Sequence, residues 1–172
     1  LTVLRDIIKQ TKSVRYEGDG YITKWHKEAK TRGLRNAKNT PAALEAIVEK
    51  DSIQLFETYK ILSKRELESK FEIRLEEYIK IENIEHKVAV DIAKTRILSS
   101  VLIHFGTIAD ALNKAKSAGI NSIILTKELK DMDKLYTDIK EGIQLLDTSI
   151  AKCESEGDLL KQAHKYADEG DE

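Results

Sequence analysis

Apolar side chains recur along this sequence at helical spacing, and over one stretch they do so for an unusual distance. Ser63-Lys64-Arg65-Glu66 has the form of a capping box, in which a Ser hydroxyl meets the third helical amide and a Glu reaches back. Beyond it, apolar or aromatic residues fall at 67, 71, 75, 78, 81, 84, 88 and 92, continue through Thr95, and resume at 98, 102, 105, 108, 112 and 115. Every step is three or four, the signature of one buried stripe on one helix. The pattern predicts a helix over 63–118, about 80 Å long at 1.5 Å per residue. Gly106 lies inside it, costs about 1 kcal/mol relative to Ala, and marks a candidate bend. Ala118-Gly119-Ile120-Asn121-Ser122 breaks the pattern. A second stripe follows at Leu125, Leu129, Met132, Tyr136, Ile139, Ile143, Leu146, Ile150 and Cys153, in alternating steps of four and three. Two long helices joined by so short a break predict an antiparallel hairpin.

The flanking segments read as short helices. The first runs from Leu1 to about Ser13, with Leu4, Ile7 and Ile8 on one face, and stops before Glu17-Gly18-Asp19-Gly20. The second covers about Ile22–Arg32 and ends on Gly33. Thr40-Pro41 predicts a helix start capped by Thr40, with Leu44, Ile47 and Val48 facing inward over 42–50. Asp51 or Ser52 is expected to cap the next helix, which carries Ile53, Leu55, Phe56 and Tyr59. Gly157-Asp158 restarts a final helix with Leu159, Leu160, Ala163 and Tyr166, and the acidic end 168–172 is expected to fray. The fold class is therefore all-α: a helical bundle on a long antiparallel hairpin (about 63–118 and 122–156), with short N-terminal helices and a short C-terminal helix. We divide it into 1–62, the short helices, and 63–172, the hairpin with its terminal helix.

Composition agrees and narrows the function. Of 172 residues, 41% are apolar and 34% charged, with one Pro and 8 Gly, which leaves too little turn chemistry for a sandwich or barrel. The net charge of -1 argues against a nucleic-acid partner, which needs a basic surplus. That near-zero figure conceals an excess of basic residues in 1–40 (10 Lys/Arg, 4 Asp/Glu) and of acidic ones in 121–172 (7 and 13). We read these as solvated helix faces. A single Cys excludes an internal disulfide and any multi-Cys zinc site, and predicts a reducing, cytoplasmic setting. No apolar run approaches the roughly 20 residues of a membrane span. The chain begins at Leu1 without an initiator Met, and we read it as a piece of a longer product.

No active-site spacing is present. The sequence lacks a phosphate loop, a dinucleotide fingerprint, a His-Glu-x-x-His motif and a nucleophile elbow. Histidines 26, 86, 104 and 164 fall at no ligand spacing, and His104, near the stripe, is expected to be partly buried. Cys153 continues a stripe and reads as a small buried hydrophobe. Glu72 and Glu76 share a helix face, as di-metal bundles require, but the needed Glu-x-x-His is missing, and ion pairs with Lys70, Arg74 and Lys80 account for them. Trp25 with Lys24 and His26, and Tyr16 with Arg15, offer stacking surface for a partner, although Trp25 is also the natural anchor of its short helix. No catalytic, cofactor-binding or metal-binding residue is assigned.

Several stretches carry a resemblance. Trp25-His26-Lys27-Glu28-Ala29-Lys30-Thr31-Arg32-Gly33-Leu34 resembles Trp-x-x-Glu-Ala-x-x-Arg-Gly-Leu, and Asn39-Thr40-Pro41-Ala42-Ala43-Leu44 resembles the Thr-x-x-Ala-Leu segment after it. Ser69 through Lys80 resembles Ser-Arg-Tyr-Glu-Ile-x-Leu-Glu-x-Tyr-x-Lys, continued by Asn83-Ile84-Glu85, Asp91-Ile92-Ala93-Lys94 and Ile97-Leu98. In this order and spacing they resemble the C-terminal region of type III glutamine synthetase, the large bacterial form. His86-Lys87 and Ser99-Ser100-Val101 depart from the usual residues, as in a divergent member. The resemblance implies a parent that joins ammonium to glutamate with ATP, through a γ-glutamyl phosphate, using Mg or Mn, in stacked rings. Its catalytic residues would lie upstream of Leu1, so none is carried over. The implied role here is structural: buttressing the upstream catalytic domain and shaping contacts between neighbouring subunits of a homo-oligomer, with no membrane or nucleic acid involved. Any part of the stripe left uncovered would pair with a second copy. The rival is a stand-alone adaptor whose partner face is Leu125–Cys153.

Overall fold

The structure, a computed structural model, describes residues 2–169, the side chains of Ser13 and Glu169 apart. It is 81% helical, with no strand among the described residues. The chain divides into two compact units, Leu1–Lys38 and Asn39–Glu172.

The first unit holds α1 (Thr2–Gln10), a 3-10 turn (Lys12–Val14) and α2 (Thr23–Thr31). Tyr16 lies against Trp25 with ring centroids 4.0 Å apart, and the Arg32 guanidinium sits over the same indole at 5.6 Å. The aromatic pair thus meets inside the unit, where Trp25 anchors α2 as its sequence setting suggested. Gly33 (φ 70°) ends α2: its amide donates to Lys30 and the amide of Leu34 to Ala29, the paired bonds of a Schellman motif. The apolar face of α1 (Leu4, Ile7 and Ile8) stays exposed.

The second unit begins with α3 (Thr40–Leu44), a 3-10 turn (Glu45–Val48) and α4 (Lys50–Thr58). Here the structure corrects the cap assignments. Asn39, not Thr40, caps α3, its Oδ1 accepting from the Ala42 amide at 3.0 Å. An amide oxygen at that position reaches the third helical N–H, which leaves Thr40 as the first helical residue. Neither Asp51 nor Ser52 caps α4; Glu49 occupies that position, and the Ser52 hydroxyl donates to the Ala46 carbonyl at 2.7 Å. The expected helix over 42–50 is instead α3 and the 3-10 turn in succession. Pro41 is buried and Leu44 packs on a core with Leu75 and Tyr166, so the compact units part at 38/39 and not at 62/63.

Next comes the hairpin. The Ser63 capping box forms: Glu66 Oε2 accepts from the Ser63 amide at 2.8 Å, and Ser63 accepts from the Glu66 amide. The first arm is one continuous helical run, α5 (Lys64–Ile92), a π turn (Ala93–Ile97) and α6 (Leu98–Ser117), 54 residues in all. Gly119 (φ 81°) closes it with a second Schellman motif, Ile120 to Ala115 and Gly119 to Lys116. The return arm is α7 (Ile123–Glu154), capped by Ser122. Lys87 pairs with Glu154 and Lys94 with Asp147, so the arms are antiparallel. Helix α8 (Leu159–Glu169) starts at Asp158, whose carboxylate accepts from the Lys161 amide, and packs against α3, α5 and α7.

The second arm follows its sequence pattern closely. All nine stripe residues from Leu125 to Cys153 are buried or half-buried. The first arm does not. Its inward line runs through Leu67, Phe71, Leu75, Tyr78, Ile79, Glu82, Asn83, His86, Val90 and Ala93, then Leu98, Val101, Phe105, Ile108, Leu112 and Ala115. Ile81, Ile84, Val88, Ile92 and Thr95 are exposed, and Val101 replaces Leu102 inside. Over 82–86 the inner positions are held by polar Glu82, Asn83 and His86, so the apolar residues there lie outward. Farther along, the π turn inserts one extra residue, so the inward line steps by five from Ala93 to Leu98. The irregularity of the long helix falls there, and the helix continues through Gly106.

Candidate functional site

The helix α5 has two faces. Its inner face forms two apolar clusters: Leu75 and Ile79 with Cys153, Ala163 and Tyr166 at the α8 end, and Val90 with Ile143 and Ile150 farther along. Between them the inner line is polar, at Glu82, Asn83 and His86. Glu154 of α7 accepts from Lys87 at 2.6 Å and from the Asn83 amide at 2.9 Å. These two donors, Lys87 first, hold its carboxyl below the usual carboxylate range. The His86 ring stacks on Tyr166 of α8 with centroids 5.8 Å apart. This polar segment explains why the inner line was hard to follow in sequence.

The outer face carries Ile81, Ile84, Val88 and Ile92 at steps of three, four and four, between 42% and 63% exposed. At about 100° per residue they lie on the side opposite Leu75, Ile79, His86 and Val90. Lys80 and Asp91 flank the stripe on one side and Glu85 on the other. An exposed, ordered apolar row on a helix already packed on its other side marks an interaction surface. It is the candidate functional site of this unit.

The residues weighed for chemistry are dispersed. The His26 ring meets Asn36 at 3.1 Å, and His164 meets Glu45 at 3.0 Å, tying α8 to the 3-10 turn before α4. His104 is exposed, a correction: the inner line passes at Val101, Phe105 and Ile108, so residue 104 points outward. Glu76 pairs with Lys80 at 2.9 Å and Glu77 with Arg74 at 2.8 Å, ordinary helix-surface pairs. Among the described residues, no three His, Cys, Asp or Glu side chains converge into a cation cage. No helix among the described residues is long and apolar enough to cross a membrane. The Leu125–Cys153 row is occupied by the first arm, which takes away the partner face of the adaptor reading.

Tyr166 is 1% exposed and its hydroxyl makes no hydrogen bond. Burial, then the proximity of Cys153 and Glu154, pushes its pKa up to about 12. The fold therefore keeps a phenol proton that the unfolded chain releases near pH 10, so stability holds up to about pH 10 and declines as pH rises towards 12. Tyr166→Phe is expected to remove that decline and to cost less than about 1 kcal/mol at pH 7, since an orphan hydroxyl contributes nothing. Urea titrations of both proteins at pH 7 and pH 11 check it; a parallel loss in the variant would refute it.

A family model described as "Glutamine synthetase C-terminal domain" matches residues 1–116. The chain is 31% identical over 167 residues to the "Type-3 glutamine synthetase" of Dictyostelium discoideum, covering 97% of this chain and 22% of that protein. It is 27% identical to a "Glutamine synthetase" of Butyrivibrio fibrisolvens, over 95% of this chain and 24% of the relative. A "Glutamine synthetase" of Bacteroides fragilis matches at 30% over 66% of this chain and 16% of the relative. The chain thus spans less than a quarter of the length of these relatives.

Proposed function

We propose, from the premise that this chain belongs to the glutamine synthetase C-terminal domain family, that it is the non-catalytic helical part of a longer glutamine synthetase. In that role it supports the catalytic part and shapes contacts between subunits of a homo-oligomer. The longer enzyme would join ammonium to glutamate with ATP and Mg or Mn, in the cytoplasm, on residues outside this chain. The observation that carries the assembly role is the outer stripe of α5, apolar and ordered on a helix whose other face is already packed. The dispersed titratable groups support the division of labour, because among the described residues no three His, Cys, Asp or Glu side chains converge on one point. The test removes 63–172 from the longer enzyme and follows the size of its assembly.

A further inference from the structure

Helix α1 has a face that its own unit leaves open. At about 100° per residue, Val3, Leu4, Ile7 and Ile8 fall within an arc of about 140°, and Thr2, Arg5, Asp6, Lys9 and Gln10 fill the rest. The four apolar side chains are between 45% and 73% exposed, and no residue of α1 is buried. The helix is held by its end and not by that face. The Arg15 guanidinium donates to the Ile8 carbonyl at 2.8 Å, and the adjoining Tyr16 lies on Trp25. Nine residues are too few for a helix to persist in water without tertiary support. The face therefore calls for a cover that its own unit does not supply.

Size and place select the cover. Four partly exposed side chains offer on the order of half the about 800 Å² per partner that a stable interface between separate molecules buries. A surface on the same polypeptide needs less, because its tether holds it at an effective concentration of about millimolar. A membrane-surface helix carries a surplus of cations, whereas Arg5 and Lys9 are offset here by Asp6. The family matched is a C-terminal one, and more than three quarters of the length of the relatives lies outside the region matched. That length precedes the match, and α1 is the first helix within it. We propose that the Val3, Leu4, Ile7 and Ile8 face of α1 docks on the preceding, catalytic part of its own longer polypeptide. Helix α1 is then the foot on which the first unit is seated, and Arg15 with the Tyr16–Trp25 pair ties that foot to α2. The proposal rests on the supporting role proposed above and names the face through which that support is given.

Hydrogen exchange read by mass spectrometry tests this in the longer enzyme and in the 172-residue chain. The amides of α1 are expected to exchange at least about 100-fold more slowly in the longer enzyme, through burial of the apolar face. Leu4→Gln with Ile7→Gln in the longer enzyme should return them to the rate seen in the 172-residue chain. Gln keeps a helix propensity near that of Leu, so the loss reads the face and not the helix. The amides of α5 and α7 should keep their protection in that variant, which shows that it folds. Tyr21→Gln, at a position 94% exposed, should change neither set. Equal α1 exchange in the two forms, or protection that survives the double Gln variant, would overturn the proposal. So would protection that the 172-residue chain gains with rising concentration, the mark of a second copy. Protection gained only on anionic phospholipid vesicles, the mark of a membrane, would overturn it too. A protected α1 in an enzyme whose assembly is indifferent to loss of 63–172 would leave this seat standing and refute the assembly role instead.

Discussion

Leu75→Ala is expected to lower the unfolding free energy by about 3–4 kcal/mol, within the range for buried Leu truncations. Leu75 is 1% exposed and lies where α5, α7 and α8 converge, against Ile79, Cys153, Ala163 and Tyr166. Those neighbours belong to three different helices, which limits how far the site can collapse into the cavity. Helix α8 is only 11 residues long, too short to persist without tertiary support. Loss of this core should therefore loosen α8 first. Ile73→Ala is the control on the same helix: at 60% exposure it should cost less than about 1 kcal/mol. Urea titration followed by circular dichroism measures both, and equal costs for the two would refute the assignment of inner and outer faces.

Single-residue deletions should give the second large effect, and its size should depend on position. Deleting Thr95 shortens the step from Ala93 to Leu98 from five to four, the step a regular α-helix makes along one face. The π turn would then become α-helix with both inner segments still facing α7. We expect ΔThr95 to change stability by less than about 1 kcal/mol. Deleting Thr107, in the regular part of α6, rotates everything beyond it by about 100°. Ile108 and Leu112 would leave the inner line, and the loss should exceed about 3 kcal/mol. Thermal melts compare the two. A large loss for ΔThr95 would mean that the turn itself, and not the register it carries, is needed.

Local cap chemistry is legible in the sequence, and a face whose inner residues are polar is not. The second arm was fully readable because its row never departs from steps of four and three, and each member found the first arm. The Ser63–Glu66 box and Gly33 were readable because caps are local chemistry. The first arm was readable as a helix but not as a set of faces. Over 81–92 the apolar row is the outer one, Ile81, Ile84, Val88 and Ile92, so apolar periodicity points to that side and away from the inner line. The inner positions Asn83 and His86 are polar, and their partners Glu154 and Tyr166 lie far away in sequence. The outer stripe was thus visible as apolar periodicity, but its exposure was not. Pro41 and Leu44 looked like part of a separate leading segment for a similar reason: what they pack against begins at Phe71 and ends at Tyr166.

As proposed above, this helical unit is structural, with chemistry elsewhere in a longer glutamine synthetase and assembly partly dependent on it. Sedimentation velocity of that enzyme, with and without 63–172, tests this most directly. The deleted form is expected to sediment as smaller species than the full assembly. An assembly of unchanged subunit number would contradict it.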